Sequence, residues 1–260
     1  MREGEAEFLE DYWSRPNAYP RPSVTVDLVI FTVTDCDLKV LTIKRGDHPY
    51  KGFWALPGGF VDVGDTFRDQ GEDLETAAHR ELAEETALSP ELLAANNVYL
   101  EQLYTFGKSG RDPRTRVIGV AYYALVPPQL VPMVRAGDDA AAVEWKSVSQ
   151  VGELGFDHAG ILAKGVERVR GKIDYSPIAF NLLPPTFTVT ELREVHEAIK
   201  GHHYDNGNFR RRFKRMQTDG IIEQAPGKRL TGGKPAAVYR FVQAEREAES
   251  YTVDPVNPTL

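Results

Sequence analysis

The hexapeptide Arg80-Glu81-Leu82-Ala83-Glu84-Glu85 narrows what this chain can be more than any other segment. On a helix, Glu81, Glu84 and Glu85 stand at i, i+3 and i+4, so three carboxylates project from one face. Their repulsion destabilises a short helix unless a cation offsets it. The hard cations that accept all-oxygen ligands are Mg²⁺, Mn²⁺ and Ca²⁺. Upstream, residues 54–61 read as a strand with the glycine pair Gly58-Gly59, and Glu72 stands eight residues before Arg80. The plain alternative is an exposed acidic helix, since a charge run is usually a solvated face. The glycine pair in front of it favours a metal-holding loop and helix.

A chain of 260 residues suggests one large or two modest domains. The single cysteine, Cys36, forms no intrachain disulfide, so no oxidising compartment is required. The N-terminus lacks the basic-then-apolar pattern of a signal peptide, and no apolar run approaches the roughly 18 residues of a spanning helix. The expectation is a soluble cytoplasmic protein with no membrane partner.

Residues 1–22 are polar and proline-punctuated and read as an arm. Strands are expected over residues 24–31, 38–43, 54–56, 97–106, 115–126 and 142–145, with a hairpin through 34–37 and a helix over about 74–86. This mixture predicts an α/β sandwich around a mixed sheet over residues 23–150. Residues 151–185 connect onward, with Leu162, Val166, Val169 and Ile173 as one helical stripe. Pro184-Pro185 then breaks any helix and marks a boundary.

From Thr186 the texture changes. Thr188-Val189-Thr190-Glu191 has capping-box spacing before a helix carrying Leu192, Val195 and Ile199 and ending at Gly201. A second helix over about 208–218 carries Phe209, Phe213 and Met216 within about 60° of arc. Arg210, Arg211, Lys214 and Arg215 fall on its opposite side, while Arg212 projects nearer the apolar stripe. Two short strands, 221–223 and 237–241, flank a basic glycine-rich loop over 226–235. Helix, helix, strand, basic loop, strand predicts a winged helix-turn-helix over residues 186–245, followed by a tail, 246–260. Residues 186–241 hold 11 Lys and Arg against 6 Asp and Glu, which leaves −12 on the remainder of a chain whose net charge is −7. Such asymmetry is expected when one end meets nucleic acid. The expected contacts to double-stranded DNA are Asn208, Arg210, Arg211, Lys214 and Arg215 on the helix, with Lys228, Arg229 and Lys234 in the wing.

Residues 58–88 resemble the Nudix box, a Gly, then a Glu, then Arg-Glu-apolar-x-Glu-Glu-x-Gly-apolar. There are two departures: the interval from Gly59 to Glu72 is longer by seven residues, about 64–70, and Ala87 stands where the box has Gly. The resemblance implies that Glu81, Glu84 and Glu85 hold Mg²⁺ or Mn²⁺, with Glu72 a further ligand or a base, and that Arg80 braces the glutamates through internal salt bridges. The segment Arg111-Asp112-Pro113-Arg114 resembles that of Nudix proteins that bind ADP-ribose. Arg111 and Arg114 are then expected to grip phosphates, with Arg45, Trp54, Gly58 and Gly59 lining the same pocket. For Trp54 a core position is the alternative.

Together the two halves resemble the Nudix-related transcriptional regulators of NAD metabolism, the NrtR family. That resemblance implies a homodimeric repressor of NAD biosynthesis or salvage genes that binds operator DNA and responds to ADP-ribose or a related NAD metabolite. Some family members hydrolyse ADP-ribose; Ala87 and the longer loop point to weak or lost activity here. The alternative is a Mg-dependent ADP-ribose pyrophosphatase whose C-terminal domain serves dimerisation or partner binding.

Overall fold

The structure, a computed structural model, describes residues 5–14, 21–64, 69–136, 140–230 and 234–242. The chain divides into two compact units: Met1–Pro184 with Glu194–His202, and Pro185–Arg193 with His203–Leu260.

The first unit is built on a seven-stranded sheet. Its strands are β1 (Ser23–Thr34), β2 (Asp37–Arg45), β3 (Trp54–Ala55), β4 (Gly58–Phe60), β5 (Tyr99–Phe106), β6 (Val117–Leu125) and β7 (Ala140–Ser147). The order is β3-β2-β1-β6-β5, with β4 on β1 and β7 on β2. The β1–β6 pair is parallel and the other pairs are antiparallel, which makes the sheet mixed as expected.

Alternation along β1 divides the core. Val26, Leu28 and Ile30 pack with Ala77, Ala78 and Leu82 of α2 (Leu74–Thr86). Val29 and Phe31 face the other way, toward Gly165 of α4 (His158–Lys172). A Cβ at Gly165 would stand 3.1 Å from Val29 Cγ1, so this glycine lets α4 approach the sheet closely. Helices on both faces give the α/β/α sandwich. The stripe Ile161, Leu162, Val166 and Val169 is buried on α4. Shorter α3 (Pro90–Ala95) follows α2, and its N-cap Ser89 accepts from Leu92 N.

Two local readings change. Residues expected as an arm include a helix, α1 (Glu5–Ser14), on which Phe8 and Tyr12 stack at i and i+4. The strand expected over 54–61 is two strands, β3 and β4, parted by Leu56-Pro57. Proline has no N–H for a ladder, and β4 moves across to pair with β1 while Pro57 O accepts from Leu28 N at 2.8 Å.

The second unit contains α6 (Asn206–Thr218), the hairpin β8 (Ile222–Arg229) and β9 (Ala236–Phe241), and the start of α5 (Val189–Lys200). The capping box at the start of α5 is present. Thr188 N donates to Glu191 Oε2 at 2.7 Å, and Glu191 N donates to Thr188 Oγ1 at 3.2 Å. Phe187 exchanges two backbone hydrogen bonds with Tyr239, adding a short third edge to the hairpin. Phe209 and Phe213 are buried, and Phe213 meets Tyr239 edge-on at 4.7 Å. Strand β8 is longer than expected because a bulge between Gln224 and Lys228 takes Pro226-Gly227 out of register, with Gly227 at φ 99°. The tail 246–260 and residues 231–233 of the wing lie outside the described residues.

Candidate ligand cavity and nucleic-acid interface

A cavity of about 880 Å³ opens beside the box helix in the first unit. It gathers Glu81, Glu84 and Glu85, the pair Gly58-Gly59, Arg45, Arg111 and Arg114. Glu72 and Trp54 stand outside its lining. Trp54 instead lies beneath Lys146, whose Nζ is 3.6 Å from the ring centroid. The pocket position expected for Trp54 therefore gives way to a structural one.

The glycine pair is required by close approach. A Cβ on Gly58 would come within 2.1 Å of Val26 O, and one on Gly59 within 2.3 Å of Glu81 Oε1. Gly59 thus makes room for a carboxylate directly beneath the strand. Burial pushes the Glu81 carboxyl upward, because a low-dielectric site disfavours its charge.

Arg80 organises the acids. It takes Glu72 in a fork, Nη2 to Oε1 at 2.6 Å and Nε to Oε2 at 3.1 Å. Its Nη1 donates to Glu81 Oε1 at 2.8 Å and Glu84 Oε2 at 2.9 Å, and its Nη2 also reaches Phe60 O. Arg80 holds the Glu72 carboxyl below its ordinary range. Among the described residues no three acidic, His or Cys side chains already converge as an ion cage. Arg80 accounts for this, since it occupies one oxygen of Glu81 and one of Glu84. The donor chemistry still suits a hard cation: all-oxygen ligands, with one of them buried and penalised for its charge.

The long interval before Glu72 is pinched off at its base. Glu72 N donates to Asp62 O at 2.9 Å, and Asp62 N to Glu72 Oε1 at 3.0 Å. Glu72 therefore returns to Arg80 despite the added residues, of which 65–68 lie outside the described set. Ala87, at the box's glycine position, ends α2 in the left-handed region at φ 53°.

The two arginines of the 111–114 segment part company. Arg111 has a side chain only 5% exposed. Its Nη2 donates to Asp27 Oδ2 at 3.0 Å and Asp157 Oδ1 at 2.8 Å, and its Nε to Asp157 Oδ2 at 2.9 Å. Burial opposes its charge, yet Asp157 and Asp27 together raise its pKa. Arg111 is thus a buried brace rather than an open phosphate grip. Arg114 is 42% exposed and is aimed by Asp112, which accepts from its Nε and Nη2. Its guanidinium lies 5.1 Å from the Phe60 ring and 6.0 Å from the Phe156 ring.

Sequence reasoning missed Asp27, Asp157, His158 and the cavity aromatics Phe60 and Phe156. His158 Nδ1 accepts from Leu56 N at 2.9 Å, and its Nε2 is 3.8 Å from Asp27 Oδ1. Burial lowers the pKa of this imidazole against the opposing pull of Asp27 and Asp157, which favours the neutral form. One signal was available: Asp27 is a lone carboxylate within an apolar strand, a placement that demands a partner.

In the second unit, Asp205 caps α6 by accepting from Asn208 N at 2.8 Å. Asn208, Arg210, Arg211, Lys214 and Arg215 are all exposed, and Asn208 accepts a hydrogen bond from Arg211. Lys228 and Lys234 are exposed on the hairpin. Arg229 departs from the expected phosphate role. Its Nη1 meets both Glu191 oxygens, at 2.6 and 2.7 Å, and its Nη2 reaches Thr186 O at 2.9 Å. It ties the wing to the capping box.

Residues 24–165 match the NUDIX domain, and residues 179–241 match the NrtR DNA-binding winged helix domain. The chain is 36% identical over 239 residues to the ADPR responsive transcriptional repressor NtrR of Acinetobacter baylyi, covering 91% of this chain and 88% of that protein. It is similar to the crystal structure of Shewanella oneidensis NrtR complexed with a 27mer DNA, at TM-score 0.70 and 35% identity, over 84% of this chain and 93% of the other. It is also similar to the NUDIX domain of that protein complexed with ADP ribose, at TM-score 0.51 and 37% identity, over 63% of this chain and 97% of the other.

Proposed function

This chain belongs to the NrtR family, a NUDIX domain joined to an NrtR-type DNA-binding winged helix, and from that premise we propose how its parts divide the work. It is an ADP-ribose-responsive transcriptional repressor that binds DNA. The observation that carries the assignment is the presence, in one chain, of the acid-and-arginine cavity and an α6 with an open cationic face. Its genes are those of NAD biosynthesis or salvage, and it acts as a homodimer.

In this reading Arg45 and Arg114 hold the diphosphate of ADP-ribose, while Arg111 keeps the cavity floor in place through Asp27 and Asp157. Glu81, Glu84 and Glu85 would hold Mg²⁺ or Mn²⁺, with Glu72 and Arg80 bracing them. A bound divalent ion would neutralise diphosphate charge and lower the pKa of a bound water. Asn208, Arg210, Arg211, Lys214 and Arg215 face the major groove, and Lys228 and Lys234 add phosphate contacts. Two such helices in a dimer would read half-sites about one helical turn apart.

The second reading, a Mg-dependent ADP-ribose pyrophosphatase, is favoured by the three box glutamates standing at one cavity. A gel shift with promoter DNA across a salt series separates the two. Binding that weakens steeply with salt supports the repressor; no binding at low salt leaves the hydrolase.

A further inference from the structure

Phe156 stands in the left-handed backbone region at φ 54°. A bulky aromatic residue there is an outlier, and such strain persists only where the surroundings hold it. Here Gly155 N donates to Trp54 O at 2.8 Å, the Tyr50 ring packs at 4.6 Å, and His158 stacks at 5.2 Å. The conformation sends the Phe156 ring into the cavity lining.

Two guanidiniums meet that ring. Arg45 Cζ is 5.1 Å from its centroid and Arg114 Cζ is 6.0 Å away. Each arginine is anchored on its inner edge, Arg45 Nε to Pro49 O at 2.8 Å, and Arg114 Nε and Nη2 to Asp112. Among the described residues, Nη1 and Nη2 of Arg45 and Nη1 of Arg114 make no hydrogen bond. Two cations beside one ring repel, and burial followed by the Arg114 charge makes the Arg45 cation harder to keep. An anion between them would relieve that repulsion, and an aromatic face is the attraction that holds both in the meantime.

We propose that Phe156 is a positioning residue for the diphosphate of the ligand: its ring sets Arg45 and Arg114 side by side so that their outer edges take one phosphate each. This rests on the reading that the cavity takes ADP-ribose. The strained backbone is then the cost of aiming the ring. A residue more at ease in this conformation, such as Asn, would relax the backbone and lose the aromatic face.

The test is calorimetry on the full chain with two probes, ADP-ribose and inorganic pyrophosphate, for wild type, Phe156→Leu, Phe156→Asn and Phe156→Tyr. Phe156→Leu and Phe156→Asn are expected to weaken both probes by about tenfold, between the sizes of an exposed and a desolvated cation–π contact, while Phe156→Tyr restores them. Adding Arg45→Gln should then cost less affinity in Phe156→Leu than in wild type, a coupling that a purely structural residue would not produce. Should Phe156→Leu fail to fold, Phe156→Asn carries the same comparison. Unchanged affinity in Leu and Asn variants that fold overturns the inference. Wild type that binds pyrophosphate but not ADP-ribose removes the ligand reading and leaves Phe156 to be judged on pyrophosphate alone. Wild type that binds neither overturns both.

Discussion

Arg111 and Arg114 sit three residues apart in sequence, and the structure gives them different environments. Arg111 is closed in by Asp27 and Asp157. Removing it leaves Asp27 buried and without its partner, so Arg111→Ala should cost about 3 to 5 kcal/mol in chemical denaturation. Arg114→Ala leaves Asp112 the hydrogen bond from the backbone N of residue 114, so it should cost less stability than Arg111→Ala while weakening ADP-ribose in calorimetry. Equal stability losses would contradict the division. His158 supplies a pH test. Its folded pKa lies below the ordinary value of 6.5. Below that value the unfolded chain binds the proton more readily, so stability falls as pH drops. Urea midpoints between pH 7.5 and 5.5 should decline less in His158→Gln than in wild type, with a slope of at most about 1.4 kcal/mol per pH unit for one proton. These roles were hidden in the sequence because Arg111 and Asp27 lie 84 positions apart. The Arg-Asp-Pro-Arg segment marked an arginine site, but which arginine stays open is decided by what folds over it.

Among elements, periodicity found the helices that bury a stripe. The limits expected for the box helix agree with α2, and the capping box at Thr188 and Glu191 forms as the spacing required. Strand ends were less legible, because Pro57 and the bulge at Pro226-Gly227 act through ladder hydrogen bonds made by distant residues. Helix α1 was missed because prolines nearby outweighed the Phe8–Tyr12 spacing. The end of α2 offers a stability test. Ala87→Gly should stabilise the first unit by up to about 1 kcal/mol, since the left-handed conformation costs alanine more than glycine. A lower melting temperature in that variant would show that the strain is not stored at Ala87. On α6, Arg211→Glu with Arg215→Glu should abolish DNA binding while the circular dichroism spectrum stays unchanged. Lys228→Gln and Lys234→Gln should instead each reduce the salt slope of binding by about one.

At the scale of the whole molecule, a cavity suited to a diphosphate and a DNA reader share one chain. Among the described residues no helix is long and apolar enough to cross a membrane. A ligand shifts the reader only through its differential affinity for the protein's alternative arrangements, and couplings of this kind run from about 1 to 3 kcal/mol, roughly 5- to 150-fold. By reciprocity, DNA should weaken ADP-ribose by the same factor. The most direct measurement is a titration of promoter DNA with the full chain, at fixed salt, with and without saturating ADP-ribose. DNA affinity reduced by 5-fold or more in wild type, and unaltered by ADP-ribose in an Arg45→Gln, Arg114→Ala variant that still binds DNA, is the predicted result. Wild-type DNA affinity that is the same with and without saturating ADP-ribose would contradict the account.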